Sequence, residues 1–198
     1  MLTVALHPDT AIVERHRSGD VTAFEELVRL YKDAVYGYLY RCCIPAGARD
    51  DVAQEVFMRI HRALHRFEKT PDGSLKAWIF TIVANAARSH FRHLGVEQRA
   101  LAQALDEENG FIPTAGHSSQ AALEGKEVAT WLEAALQKLP LAEREAVMLV
   151  CIEGVEQEDA AAALEIPINT LKTHLRRGRL RLAEALSRRG AISAREGS

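Results

Sequence analysis

The residues best equipped to meet a polyanion stand near the end of the chain, in the run QEDAAAALEIPINTLKTHLRRGRLRLAEAL, residues 157–186. Lys172, Arg176, Arg179 and Arg181 fall where they populate much of one helix circumference. Leu171, Leu175, Leu182 and Leu186, with Ile168 just before them, can face a core. Cations in such an array neutralise phosphates and release condensed counterions, so the chemistry is binding and not bond making. The flanking charge is lopsided. Acids outnumber bases seven to one between 143 and 165, and bases outnumber acids seven to one between 172 and 189. A nucleic acid is drawn to the second stretch and repelled by the first, which orients its docking.

Two further polar constellations lie in the N-terminal half. Asp51, Gln54 and Glu55, at i, i+3 and i+4, share one helix face. By residue type alone, capping and solubility account for that face. Thr81, Asn85, Arg88 and Arg92 follow at steps of four, three and four and make an increasingly basic ridge, suited to phosphates and exposed base edges. Trp78 and Phe91 nearby can stack on bases, although aromatics at helical spacing more often belong to a core. His61 and His65 have a metal-binding spacing but no obvious third ligand. Cys42 and Cys43 read as small hydrophobes, with redox sensing as the alternative. No Gly-rich phosphate loop, nucleophile elbow or Walker-type lysine occurs, so neither an enzyme nor a cofactor is expected.

These residues need helices to position them, and apolar periodicity supplies helices almost throughout. The 198 residues, 47% of them hydrophobic, suffice for a core in one or two domains, and the net charge of −2 conceals the local basic patch. An opening helix over about 9–18 ends at Gly19, and Asp20 or Thr22 caps a second that runs to about Cys43. After a turn at residues 44–47, a third helix is expected over about 50–67, with Asp50 and Asp51 at the positive end of its dipole. Residues 68–74 (EKTPDGS) read as a loop before a helix over about 75–93. The stretch 95–125 is acidic and rich in turn residues, and reads as a flexible linker with one short helix near 98–105. Helices follow over about 123–139, stopped by Pro140, and 141–153, ended by Gly154. Glu165, Ile166 and Pro167 then separate a short helix from a basic one capped by Asn169 or Thr170, the layout of a helix-turn-helix. The fold class is all-α, two helical domains joined by a flexible acidic linker, the second containing the helix-turn-helix. No run approaches the ~20 apolar residues of a membrane span, and no basic-then-apolar leader opens the chain, so a cytoplasmic protein without membrane insertion is expected.

With these elements laid out, the chain resembles the extracytoplasmic-function (ECF) sigma factors of bacterial transcription initiation. The resemblance rests on AFEELVRLY (23–31), DDVAQEVFMRIHRAL (50–64), AWIFTIVANAARSHFR (77–92), LQKLPLAEREAVML (136–149) and the helix-turn-helix. It implies a region 2 domain over 1–94, a linker over 95–125, a region 4 domain over 126–190 and a tail over 191–198. It also implies a subunit that binds core RNA polymerase, through the β′ clamp helices and the β flap, and directs it to promoter DNA, with an anti-sigma factor as a further partner. Position by position, Asp51, Gln54 and Glu55 match the face that grips the β′ clamp helices. Asn85, Arg88 and Arg92, with the loop 67–74, match the part that opens the −10 element. Thr170, Lys172, Thr173, Arg176 and Arg177 match the helix that reads the −35 element.

Four positions depart from the family pattern. Glu165 stands where a turn glycine is usual, so a wider turn or a strained backbone is expected. Ala160 replaces a larger aliphatic and Ser89 an aspartate. Gly178 replaces an alanine inside the recognition helix, at about 1 kcal/mol. The rival reading is a stand-alone helix-turn-helix regulator with an N-terminal ligand or partner domain. A ligand domain needs a pocket in residues 50–92, where the sequence offers a gripping face and a basic ridge instead.

Overall fold

A computed structural model describes residues 8–67, 74–105 and 130–196, with side chains over 11–67, 74–92 and 130–187; among them every regular element is a helix. The loop expected over 68–74 and the acidic stretch beyond 105 lie almost wholly outside the described residues.

Helix α1 (Pro8–Arg17) stops at Gly19, whose φ of 90° only glycine adopts without strain. Asp20 then caps α2 (Val21–Arg41), its carboxylate accepting from the Thr22 N–H at 2.9 Å. Helix α3 (Ala46–Leu64) begins four residues before its expected start, because Pro45 takes the N-cap position with φ −55° and ψ 144° and launches Ala46 and Gly47 into the helix. Asp50 and Asp51 therefore stand in its second turn, away from the dipole end. Asp50 instead accepts a 2.9 Å hydrogen bond from the Tyr36 hydroxyl. Helix α4 (Leu75–Leu105) passes its expected end and absorbs the first residues read as linker, so the boundary expected at 94 falls inside a helix.

The C-terminal helices are α5 (130–137), α6 (Leu141–Val147), α7 (Gln157–Ala163) and α8 (Ile168–Glu196). A π-helical turn, Met148–Ile152, extends α6 up to Gly154, which has φ 66°. Helix α8 starts at Ile168, and the Pro167 carbonyl accepts from the N–H groups of Thr170 (2.9 Å) and Leu171 (3.1 Å). Asn169 and Thr170 thus lie in the first turn and are not its caps.

Leu171 and Leu175 are sealed beneath α8, each contributing roughly 2 kcal/mol by burial. The buried apolar residues of both halves form one continuous cluster, in which Tyr38, Phe80 and Val83 join Leu136, Met148 and Leu149. Helix α4 packs on α7 as well as on α3. The two helical regions therefore meet along a seam.

Candidate nucleic-acid interface

On α8, Lys172, Thr173, Arg176 and Arg177 are exposed and Thr170 is half-buried. The Thr173 hydroxyl donates to the Asn169 carbonyl at 2.9 Å, leaving its oxygen free to accept. Two of the four basic residues that the periodicity grouped together turn elsewhere. Arg181 pairs with buried Glu143 at 3.3 Å, and Arg179 reaches the Cys151 sulfur at 3.2 Å. What remains outward is a compact set of cations and a hydroxyl near the start of a long helix, backed by a leucine seam. This arrangement can enter a major groove and read base edges from its N-terminal part. Gly178 sits where α8 crosses α6; a Cβ there would come within 2.7 Å of Val147 Cγ2 and 3.2 Å of the Glu143 carbonyl oxygen. The helical cost of this glycine therefore accompanies a close approach that alanine would obstruct.

The α4 ridge is in a different state. Arg92 is exposed, but Arg88 is engaged: its Nη1 donates to the Leu164 carbonyl and its Nη2 to the Ala163 carbonyl, both at 2.8 Å. Nη2 also donates to Asn85 Oδ1 at 3.1 Å, and Nε lies 3.8 Å from Glu145. Thr81 is occupied by the Ala77 carbonyl. Phe91 is buried, and Trp78 packs half-buried on Phe67 at 5.3 Å, so both serve the core.

The acid-rich stretch divides as well. Glu143, Glu145 and Glu153 are buried. Burial pushes the Glu145 carboxyl up to about 7 against the attraction of Arg88 and Arg144, because the Arg88 contact is long and the carboxylate gains no hydrogen bond from it. Burial likewise raises Glu153, which faces Lys76 at 3.5 Å. Glu145 and Glu153 meet cations of the N-terminal half, a role their net repulsion of DNA did not suggest. The one base among them, Arg144, is only 1% exposed.

On α3, Asp51 and Gln54 are exposed, while Glu55 is half-buried and paired with Arg59 at 2.7 Å, which lowers its pKa. Beside Gln54 opens a groove of about 540 Å³ between α2 and α3, lined chiefly by Phe24, Val28, Phe57, Met58 and His61. Phe24 and Phe57 are partly buried and also pack on the core, while Met58 is 41% exposed. His61 stacks edge-on against Phe24 and His16, at 4.7 and 5.4 Å between ring centroids. Among the described residues no group of three or more His, Cys, Asp or Glu is placed to hold a metal. Cys42 and Cys43 are buried, and burial drives the Cys42 thiol well above its usual pKa, away from the reactive thiolate. No helix among the described residues is long and apolar enough to cross a membrane.

An exposed basic helix-turn-helix coupled to the α3–α4 pair can be compared with known proteins. The sigma-70 region 2 family model matches residues 27–96, and the sigma-70 region 4 model matches residues 129–182. The ECF RNA polymerase sigma factor EcfG of Rhodopseudomonas palustris is 34% identical over 146 residues, 74% of this chain and 75% of its own length. The chain belongs to the ECF RNA polymerase sigma factors. The sigma factor is also 29% identical to the RNA polymerase sigma-H factor of Pseudomonas aeruginosa, across 90% of this chain and 93% of that one. Among solved structures it resembles CnrH in complex with the cytosolic domain of CnrY, with a TM-score of 0.61 and 27% identity over 90% of this chain and 97% of CnrH. It resembles equally the sigma factor RpoE of Bartonella quintana bound to the anti-sigma factor NepR, with a TM-score of 0.61 and 27% identity over 84% and 98%. The region 2 match covers the segment that a stand-alone regulator would use for its ligand domain, and the regulator reading falls. Sigma factors are non-catalytic DNA-binding regulators.

Proposed function

We propose that this sigma factor grips core RNA polymerase with Asp51, Gln54 and Glu55, where the neighbouring apolar groove adds burial that the acidic face alone lacks. Asn85, Arg88 and Arg92 hold the opened −10 strand, and Thr170, Lys172, Thr173, Arg176 and Arg177 read the −35 duplex. The single observation that carries this reading is the outward set on α8, whose charge faces solvent while Leu171 and Leu175 are sealed beneath. The core contacts are the β′ clamp helices for the N-terminal domain, residues 1–94, and the β flap for the C-terminal domain, residues 126–190. The segment between them joins the domains, and α4 extends into it. An anti-sigma protein is the further partner, in line with the complexes of CnrH and RpoE, and the regulon is signal-responsive. A polymerase subunit works in the cytoplasm.

The test separates the two binding chemistries. Arg176→Ala is expected to weaken promoter binding by holoenzyme while leaving core affinity intact. It should lower the salt slope of DNA affinity by about one unit, with a further ~1–3 kcal/mol at one base position if it reads a base. Asp51→Ala with Glu55→Ala is expected to lose core binding. Titration of both variants against core enzyme and promoter DNA at several salt concentrations decides. Full core affinity in the acidic-face variant would remove the assigned grip.

A further inference from the structure

Within the N-terminal module, α1 is fastened to α2 and reaches across to the end of α3. Ile12 and Val13 are buried, and Arg15 ties the helix to Asp20 at 2.9 Å and to Glu26 of α2 at 2.6 Å. Two successive residues of α1 then touch α3 and the chain just beyond it. His16 meets His61 edge-on, with 5.4 Å between ring centroids. Arg17, the last residue of α1, gives Nε to the His65 carbonyl at 3.3 Å and Nη2 to the Phe67 carbonyl. Its third nitrogen, Nη1, donates to Glu14 at 2.9 Å.

Both carbonyls lie past the last residue of α3, where partners within the helix run out. The backbone is still turning there, with the Arg66 N–H on the Ala63 carbonyl at 2.9 Å and the Phe67 N–H on the Leu64 carbonyl at 3.1 Å. One edge of the Arg17 guanidinium spans the two carbonyls that follow, as a basic side chain can at a helix C-terminus. A lysine ammonium would carry the same charge without this fixed fork. Phe67 is held by its ring as well, which packs on Trp78 at 5.3 Å. Trp78 stands in the first turn of α4, where Ser74 Oγ accepts from the Ala77 N–H at 3.0 Å. The chain enters residues 68–73 from Phe67 and leaves them at Ser74, so Arg17 and Trp78 secure the first of these ends and the Ser74 cap the second. Arg17 itself precedes the region 2 match, which begins at residue 27.

We propose that Arg17 is a positioning residue for promoter opening: it fixes where the chain leaves α3, and with it the root from which residues 68–73 meet the opened strand. This rests on the assignment of the stretch 67–74, with Asn85, Arg88 and Arg92, to the −10 element. A root held in advance removes the cost of fixing it at the moment of binding, so capture of the unpaired strand is favoured. The other two surfaces are out of its reach. Glu55 stands ten positions before His65, roughly 15 Å away by helical rise, and the −35 residues belong to α8. Loss of Arg17 therefore acts on opening and leaves core binding and duplex binding as they are.

The test uses the full chain and its holoenzyme, at a temperature where thermal scans show every variant folded. Amide hydrogen exchange of the free sigma factor, read by mass spectrometry, should run several-fold faster over residues 64–67 in Arg17→Ala and unchanged over residues 51–55. The promoter probe is a supercoiled plasmid carrying a promoter that the wild-type holoenzyme transcribes. On it Arg17→Ala should keep duplex binding in the cold, while the permanganate reactivity of unpaired thymines falls several-fold on warming. Arg17→Lys, which keeps the charge and loses the fork, should stay impaired, and it carries both readouts should the alanine variant fail to fold. Glu14→Gln, which leaves both carbonyl bonds in place, should open the promoter like the wild type. Unchanged exchange over 64–67, unchanged opening by Arg17→Ala, or full opening by Arg17→Lys would overturn the inference. The −10 assignment is tested apart, by Asn85→Ala with Arg92→Ala. Impaired opening in that variant beside normal opening in Arg17→Ala would remove the positioning role alone. Normal opening in that variant would remove the assignment and the positioning role with it, and faster exchange over 64–67 would then mark Arg17 as a cap of α3 only.

Discussion

Helices α2 and α7 end alike, with a left-handed residue other than glycine and with carbonyls handed to an arginine of the opposite module, yet the two arginines differ in solvent. Arg144 is 1% exposed, whereas the Arg88 side chain keeps 25% of its surface. Arg144 also donates to Gln137 and Leu139 in its own module, with the Leu139 contact at 2.8 Å. Arg88 has only Asn85 and the Ala84 carbonyl on its own helix. The same cap is thus sealed from solvent in one place and partly open to it in the other. Each guanidinium holds two hydrogen bonds across the seam, so what separates the two caps is their exposure to solvent.

Replacing each arginine sharpens this contrast. Arg144→Ala leaves several buried carbonyls without a donor and removes a packed stem, so a loss on the order of 3 kcal/mol is expected, read as a lower urea midpoint. Arg88→Ala should cost clearly less in the same measurement, and equal losses would break the comparison.

Glu145 gives a smaller, pH-dependent effect. It faces Tyr38 and Cys42 of α2, Arg88 of α4 and its neighbour Arg144. Its carboxyl rises from 4.5 to about 7 in the folded chain, so the folded state holds the extra proton between those values. Its contribution is present in full below about 4.5 and is lost as pH rises toward 7. Glu145→Gln, neutral at every pH, should flatten this fall in a series of thermal midpoints. Parallel curves for variant and wild type would show that the seam does not hold the proton.

The smallest effect concerns the left-handed residues. Glu165→Gly relieves a strained φ at an exposed position and should stabilise by about 1 kcal/mol. Cys43→Gly should gain less, because its sulfur is buried and accepts from Arg144. A larger gain at Cys43 would mean that this sulfur contributes nothing to the cap.

Most of this architecture was legible in the sequence, because leucine spacing and proline and glycine punctuation act within one or two turns. The helix-turn-helix, the Leu171 and Leu175 seam and the outward Lys172 and Arg176 followed from that local pattern, whereas Leu186, expected to face a core, is 53% exposed. The start of α3 was misread since Ile-Pro-Ala-Gly suits both a turn and a helix entry, and packing of Arg49 against the Ile44 carbonyl and Tyr40 accompanies the latter. The strain foreseen at Glu165 is present as its positive φ. The seam was not legible. Arg88 and Ala163 are 75 positions apart, Arg41 and Glu133 are 92 apart, and nothing in local periodicity links them. The same distance hid the second use of Glu145 and Glu153, whose charges read as repulsion when counted along the chain.

Gly178 is buried where α8 crosses α6, pressed toward Val147 and the Glu143 backbone, while Lys172 and Arg176 face solvent. The missing methyl therefore acts as a spacer setting: it fixes how closely α8 is seated on α6, and with it the height and tilt at which Lys172 and Arg176 are presented. On the proposed −35 assignment, a side chain added here would be expected to alter promoter preference without touching a nucleotide, since a displacement at the crossing is carried along the helix to Lys172 and Arg176.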